Sequence, residues 1–194
     1  EKQGGGGMNK KDVRDIIKTA VSLFLICAVA AGLLAAVNSV TAPKIAENSD
    51  RAANEARKTV LPEAESFEEK ALPDGTVYYA GVSGGGKVGY VFNTSAAGYG
   101  GEIALTVGVN ADGAVTGITI LTINETPGLG MNAKKESFIS QFTGKSGSIS
   151  VVKGSASGDN EISAITSATI TSKAVTSAVN KALELYSLAV QQEG

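Results

Sequence analysis

The chain has 194 residues, a net charge of −2 and 24 glycines, with neither histidine nor tryptophan. That charge gives no electrostatic case for nucleic-acid binding, and the missing histidine removes imidazole general bases and imidazole metal sites. The single cysteine, Cys27, lies inside an apolar run, which excludes a disulfide framework or a thiolate cluster within the chain, while the glycine content points to hairpins and close backbone approach rather than a helical bundle.

Residues 1–7 (EKQGGGG) look like a linker remnant ahead of Met8, so residues 1–15 are set aside as that remnant plus a short cytoplasmic N-terminus. Lys10, Lys11, Arg14 and Lys18 then precede a stretch without charge until Lys44. Residues 16–40 are predicted to form one transmembrane helix, since at roughly 1.5 Å per residue they cross a ~30 Å hydrocarbon core. The basic cluster puts the N-terminal end in the cytoplasm and the rest outside it. The length of the run favours a retained anchor over a cleaved signal peptide. Ala28, Ala30, Ala31, Gly32, Ala35 and Ala36 give small faces for packing against other membrane helices. Pro43 is expected to end or bend this helix. Residues 41–62 read as a charged, Ala-rich stalk helix stopping at Pro62, and residues 63–70 as an acidic, solvated loop.

Residues 63–194 are predicted to form a compact α+β domain, an antiparallel sheet with packed helices. Residues 76–82 and 87–93 flank Ser83-Gly84-Gly85-Gly86, a hairpin signal. Residues 102–110 and 114–123 flank Asp112-Gly113, a stronger one. In the second pair Ile103, Leu105, Val107 and Val109 alternate onto one face, with Val115, Ile118 and Ile120 nearby. Gly98-Tyr99-Gly100-Gly101 joins the two hairpins, either as a flexible turn or as backbone lying close to a ligand. Glu125-Thr126-Pro127-Gly128-Leu129-Gly130 should be a rigid loop, because Pro127 fixes one φ and the glycines permit unusual ones. Residues 134–142 read as a short helix burying Phe138 and Phe142, residues 148–153 as a strand, and residues 154–161 as a Gly/Ser loop.

From Ile170 the apolar positions Ala174, Val175, Ala178, Val179, Ala182, Leu183 and Tyr186 follow a helical period, which predicts an amphipathic helix over residues 169–190. Ser167 or Thr166 is the expected N-cap. The free amides and dipole of such a terminus suit a phosphate.

Thr166-Ser167-Ala168-Thr169 resembles the S/T-G-A-T motif of FMN-binding domains in ion-translocating redox complexes: the G subunit of the Rnf complex and its relative, the C subunit of the sodium-pumping NADH:quinone oxidoreductase. Glu125 to Gly130 matches the E-T-P-G-L-G segment of that family, and the Gly98–Gly101 segment and single-pass N-terminus also fit. Two positions depart from the pattern. Ser167 stands where the family usually has Gly. Ser163 stands where it often has an Asp that belongs to the signal read by a flavin transferase. The resemblance implies FMN held covalently by a phosphoester to Thr169, with Thr166, Ser167, Ala168, Glu125, Thr126, Gly128, Leu129, Gly130 and Tyr99 around it; Thr171 is expected to matter far less. It also implies an electron-transfer subunit that relays electrons between neighbouring membrane, flavin and iron–sulfur subunits, in a complex coupling ferredoxin:NAD electron transfer to Na+ or H+ transport. Chain length and the absence of long insertions favour the G-subunit type over the C-subunit type. A different class, a cofactor-free membrane-anchored binding module, would use the same anchor and β-rich domain. A hydrolase using Thr169 or Ser167 is disfavoured: no histidine is present, and Lys173 is the only lysine close in sequence.

Overall fold

The computed structural model describes residues 10–193; the linker-like reading of residues 1–7 lies outside them. Helix α1 spans Lys10–Val60, and residues up to Ser49 form a unit separate from the one that begins at Asp50. Within the first unit the apolar side chains from Ile16 to Val40 are exposed, Phe24 by 74% and Leu34 by 72%. The helix is long and apolar enough to cross a membrane. It does not stop at residues 41–43: the helical assignment continues through Pro43. Nearby, Ser39 donates to the Ala36 carbonyl at 2.8 Å and Thr41 to that of Val37.

The second unit is built on a five-stranded antiparallel meander, β1 (Ser66–Ala71), β2 (Val77–Ser83), β3 (Gly86–Ala97), β4 (Glu102–Asn110) and β5 (Val115–Thr122), in spatial order 1-2-3-4-5. Both expected hairpins are present, and Leu105, Val107 and Val109 stand opposite Ile120, Ile118 and Val115. Strand β1 replaces the solvated loop expected at residues 63–70. Its side chains are exposed or half-buried throughout, so it is a charged edge strand, the kind whose charges discourage pairing with another chain and whose sequence lacks an apolar alternation.

Beyond β5 the helix expected over residues 134–142 is broken into a 3-10 turn (Gly130–Lys134), the one-turn α2 (Glu136–Ile139) and a second 3-10 turn (Ser140–Phe142). Phe138 and Phe142 are nonetheless buried and meet edge to face at 5.5 Å. Strand β6 (Ser150–Val152) pairs in parallel with β7 (Glu161–Ser163), so the Gly/Ser loop ends in a short strand. Helix α3 (Thr169–Glu193) closes the fold. Its stripe Ala174, Val175, Ala178, Val179, Ala182 packs with Phe92, Leu105, Val107 and Phe142 in the main core, burial that is the dominant stabilising term for such a helix. The other face of the sheet carries a smaller cluster of Val60, Leu61, Ala64 and Val91.

Candidate functional site

Three connections meet where β3 ends, β4 begins and β5 ends: the 98–101 link, the 124–130 loop, and the approach to α3. They enclose a cavity of about 520 Å³ lined by Tyr99, Glu125, Thr126, Leu129, Gly130, Ser167, Ala168, Thr169, Ile170 and Thr171. A second hollow of about 490 Å³ shares Leu129 and Ser167 with it and adds Gly128, Thr166, Asn132, Lys135 and Gln141. All ten residues singled out in the sequence therefore lie on one or other of two adjoining hollows.

Two tight turns shape this space. The Thr126 carbonyl accepts from the amides of Leu129 at 3.1 Å and Met131 at 3.2 Å, and Pro127-Gly128 with Gly128 at φ +76° has the pattern of a type II turn. The Ile165 carbonyl accepts from the Ala168 amide at 3.0 Å, and the equivalent position is Ser167, at φ +60°. This second turn corrects the expected cap. Thr166 and Ser167 are consumed by the turn, and the residue whose carbonyl takes the first helical bond, from the Ser172 amide at 3.0 Å, is Ala168. Ala168 has no side-chain acceptor. Among the described residues no protein oxygen accepts from the Thr169, Ile170 or Thr171 amides, so the α3 terminus presents its orphan donors and positive dipole end to the cavity.

The hydroxyls of this segment have different duties. Ser172 Oγ donates to the Ala168 carbonyl at 3.0 Å and accepts from the Ile165 amide at 2.9 Å. Thr176 Oγ1 donates to the Ser172 carbonyl at 2.9 Å. Thr169 lines the larger cavity, and its hydroxyl makes no hydrogen bond to any described residue. On the opposite wall Glu125 is buried, and its Oε1 accepts from the Tyr99 amide at 2.7 Å and the Gly100 amide at 3.3 Å. The 98–101 segment is held through the Tyr99 and Gly100 amides and lies on Asn124 and Glu125, so closely that a methyl group on Gly100 would run into the Asn124 carbonyl. No group of His, Cys, Asp and Glu among the described residues could hold a metal ion.

An FMN-binding domain matches residues 98–184, and an RnfG N-terminal region matches residues 8–60. The chain is 44% identical to the G subunit of the Na(+)-translocating ferredoxin:NAD(+) oxidoreductase complex of Acetobacterium woodii, over 90% of this chain and 93% of that protein. The chain belongs to the RnfG family. Another member of the family, the G subunit of the proton-translocating ferredoxin:NAD(+) oxidoreductase complex of Clostridium ljungdahlii, is 36% identical over the same shares. The crystal structure of Shewanella oneidensis NqrC aligns with a TM-score of 0.52 at 20% identity, over 66% of this chain and 67% of that one, which shows a shared fold.

The residues present fit the FMN that this domain type takes. Uncapped amides at the start of α3 suit its phosphate, and Tyr99, Leu129 and Ile170, all exposed, offer apolar faces to a flat ring. Gly130 leaves no room for a side chain: a methyl group there would stand 2.7 Å from both Glu125 Oε2 and Thr171 Oγ1. Two lining residues, Ile170 and Thr171, were not among those singled out. Thr171 carried a usable signal. It lies three residues before Ala174 and four before Val175, so it is a hydroxyl on the buried stripe.

Proposed function

We propose that this member of the RnfG family is a membrane-anchored electron carrier whose FMN is joined by a phosphoester to Thr169. The observation that carries the reading is the Thr169 side chain itself. Thr169 lines the cavity and its hydroxyl makes no hydrogen bond to a described residue, beside three uncapped amides, while Ser172 and Thr176 are tied to the backbone. Attachment forms a bond from Thr169 Oγ1 to the flavin's phosphorus and breaks the phosphoanhydride bond of a flavin dinucleotide donor, so that a nucleoside monophosphate leaves and the hydroxyl proton passes to solvent; the maturation partner is a flavin transferase. When bound, FMN accepts and passes electrons singly or in pairs. The protein's part is to hold the phosphate at the helix terminus, to present Tyr99, Leu129 and Ile170 to the ring, and to keep Glu125 and Thr126 as fixed polar walls. A tether outside the cytoplasm also keeps the local cofactor concentration high.

Residues 16–40 serve as the span, with Lys10, Lys11, Arg14 and Lys18 on the cytoplasmic side and residues 63–194 outside it. The partners are the other membrane, flavin and iron–sulfur subunits of an Rnf-type complex that couples ferredoxin:NAD electron transfer to Na+ or H+ transport. The relatives support the shared electron-transfer role; their names differ in the ion. The test is intact mass with in-gel flavin fluorescence, on protein made together with a flavin transferase. The wild type gains the mass of one FMN residue and fluoresces after denaturation; Thr169→Ala does neither. Stoichiometric flavin in denatured Thr169→Ala overturns the attachment site, and a colourless wild type without the added mass favours the cofactor-free binding module.

A further inference from the structure

Four glycines interrupt the sheet on four neighbouring strands. Gly81 of β2 stands opposite Gly89 of β3, and Gly108 of β4 opposite Gly117 of β5. Glycine inside a strand weakens it and marks a place where another piece of chain comes close. Here that piece is the end of α1. A methyl group on Gly81 would stand 2.5 Å from a Leu61 methyl and 2.9 Å from that of Ala64. One on Gly89 would stand 3.0 Å from the other Leu61 methyl, one on Gly108 would run into the Val60 carbonyl, and one on Gly117 would touch Val60. The four positions form a groove, and Val60 and Leu61, both fully buried, fill it.

Polar contacts hold the same segment. Thr116 donates its hydroxyl to the Val60 carbonyl, one of those that a helix end leaves without a partner. The Arg57 guanidinium lies over the Tyr79 ring at 3.6 Å, where a cation gains from the ring's negative face. Past the helix, the Ala64 amide donates to the Leu61 carbonyl at 3.2 Å and the Glu65 amide to the Val82 carbonyl at 2.9 Å, which leads the chain into β1. The described side chains of residues 44–52, in contrast, are all exposed.

We propose that the glycine groove is a rigid mount: it fixes residues 56–64 to the sheet, so that the flavin domain and the last turn of α1 move as one piece instead of being joined by a free linker. The inference rests on reading the chain as an anchored electron carrier. It concerns a different part of the domain, since none of the residues in the groove lines either hollow. A cofactor on a stiff arm samples fewer positions than one on a flexible linker, which raises its effective concentration at the place of exchange.

The test is amide hydrogen exchange on the full chain in detergent, loaded by a flavin transferase and checked by intact mass. In the wild type the amides of residues 57–65 should exchange about a hundredfold or more slowly than those of residues 44–50. Leu61→Ala empties the groove without touching the sheet, and Thr116→Val removes the capping hydroxyl at constant shape. Each should speed exchange over residues 57–65 by about tenfold or more, while Ala174 to Leu183 of α3 stay slow and one FMN is still carried per chain. Thr116→Ser, which keeps the hydroxyl, should behave as the wild type. In the assembled complex, Leu61→Ala and Thr116→Val should pass electrons from ferredoxin to NAD several-fold more slowly. Wild-type exchange over residues 57–65 as fast as over residues 44–50 overturns the mount, and that comparison needs no variant. Unchanged exchange in both variants overturns it too, as does loosened exchange with full electron transfer. A wild type without the added FMN mass sinks the attachment reading, while slow exchange over residues 57–65 in that same sample still upholds the mount.

Discussion

The two ends of helix α3 are built on opposite plans. At its start, Ala168 caps without a side-chain acceptor, three amides face a cavity, and Thr169 and Ser167 carry hydroxyls that bond to no described residue. At its finish, the Glu193 carboxylate is surrounded by donors: Oε1 accepts from Lys70 Nζ at 2.7 Å and Tyr78 OH at 3.2 Å, and Oε2 from Tyr90 OH at 2.7 Å and from Lys87. Tyr90 in turn meets the Tyr186 ring edge to face at 5.4 Å. An acidic side chain at a helix C-terminus opposes the helix dipole, so this clasp is held by the sheet's cations and phenols, not by the helix itself. The contrast shows a division of labour. The far end and the apolar stripe fix the helix, which allows the near end to keep its polar groups unspent for a ligand.

The most damaging way to attack this contrast is to fill the near end. Gly130→Ala drives a methyl group to 2.7 Å from Glu125 Oε2 and Thr171 Oγ1, and overpacking of this kind costs about 1–3 kcal/mol. Denaturant unfolding should show that loss, together with weaker flavin binding; an unchanged midpoint would mean that the loop yields and that the near end is looser than its hydrogen bonds suggest. Releasing the far end should cost less. Glu193→Gln should destabilise by about 1 kcal/mol at neutral pH. Burial alone would raise the Glu193 carboxyl, but hydrogen bonds from Lys70, Lys87 and Tyr90 outweigh it and bring it from an ordinary 4.5 to about 2. Because the folded value lies below the unfolded one, this stabilisation is present above pH 4.5 and disappears as pH falls toward 2. Thermal melts of wild type and Glu193→Gln should therefore converge across that window, and curves that stay parallel would show that the clasp does not hold this end. Lys87 is shifted upward, first by its hydrogen bonds to Glu193 and Tyr90, so its contribution fades only on the alkaline side, above its ordinary value of 10.5.

The hairpins could be read from sequence because turn chemistry and alternation coincide there: Asp112-Gly113 sits between strands whose inward residues Ile103, Leu105, Val107 and Val109 are fully buried. The start of α3 at Thr169 could be read for the same reason, a helical period preceded by small hydroxyl residues. Strand β1 could not, since a charged edge strand carries no apolar pattern. Nor could the parallel pairing of β6 and β7, where three residues per strand are too few to show a period. At the site, the residue types were visible but their duties were not. Serine and threonine serve equally as caps, turn formers and ligand groups, and only the backbone shows that Ser167 forms a turn, Ser172 braces it and Thr171 lies buried at the cavity floor.

The smallest expected effect tests the backbone of the near end. Ser167 is the one non-glycine with a left-handed φ, +60°, among the described residues. An L-residue pays roughly 1–2 kcal/mol to adopt that conformation, and glycine avoids the clash but loses about 0.5–1 kcal/mol more chain entropy on folding. Because the Ser167 side chain is exposed and bonds to no described residue, Ser167→Gly should give a net gain of about 0.5 kcal/mol, read as a slightly higher melting temperature. The pH window in which Glu193 loses its effect should not move, since the two ends share no partner. A lower melting temperature in Ser167→Gly would mean that the serine side chain contributes a contact of its own at the junction of the two hollows, and the near end would then be less bare than its hydrogen bonding indicates.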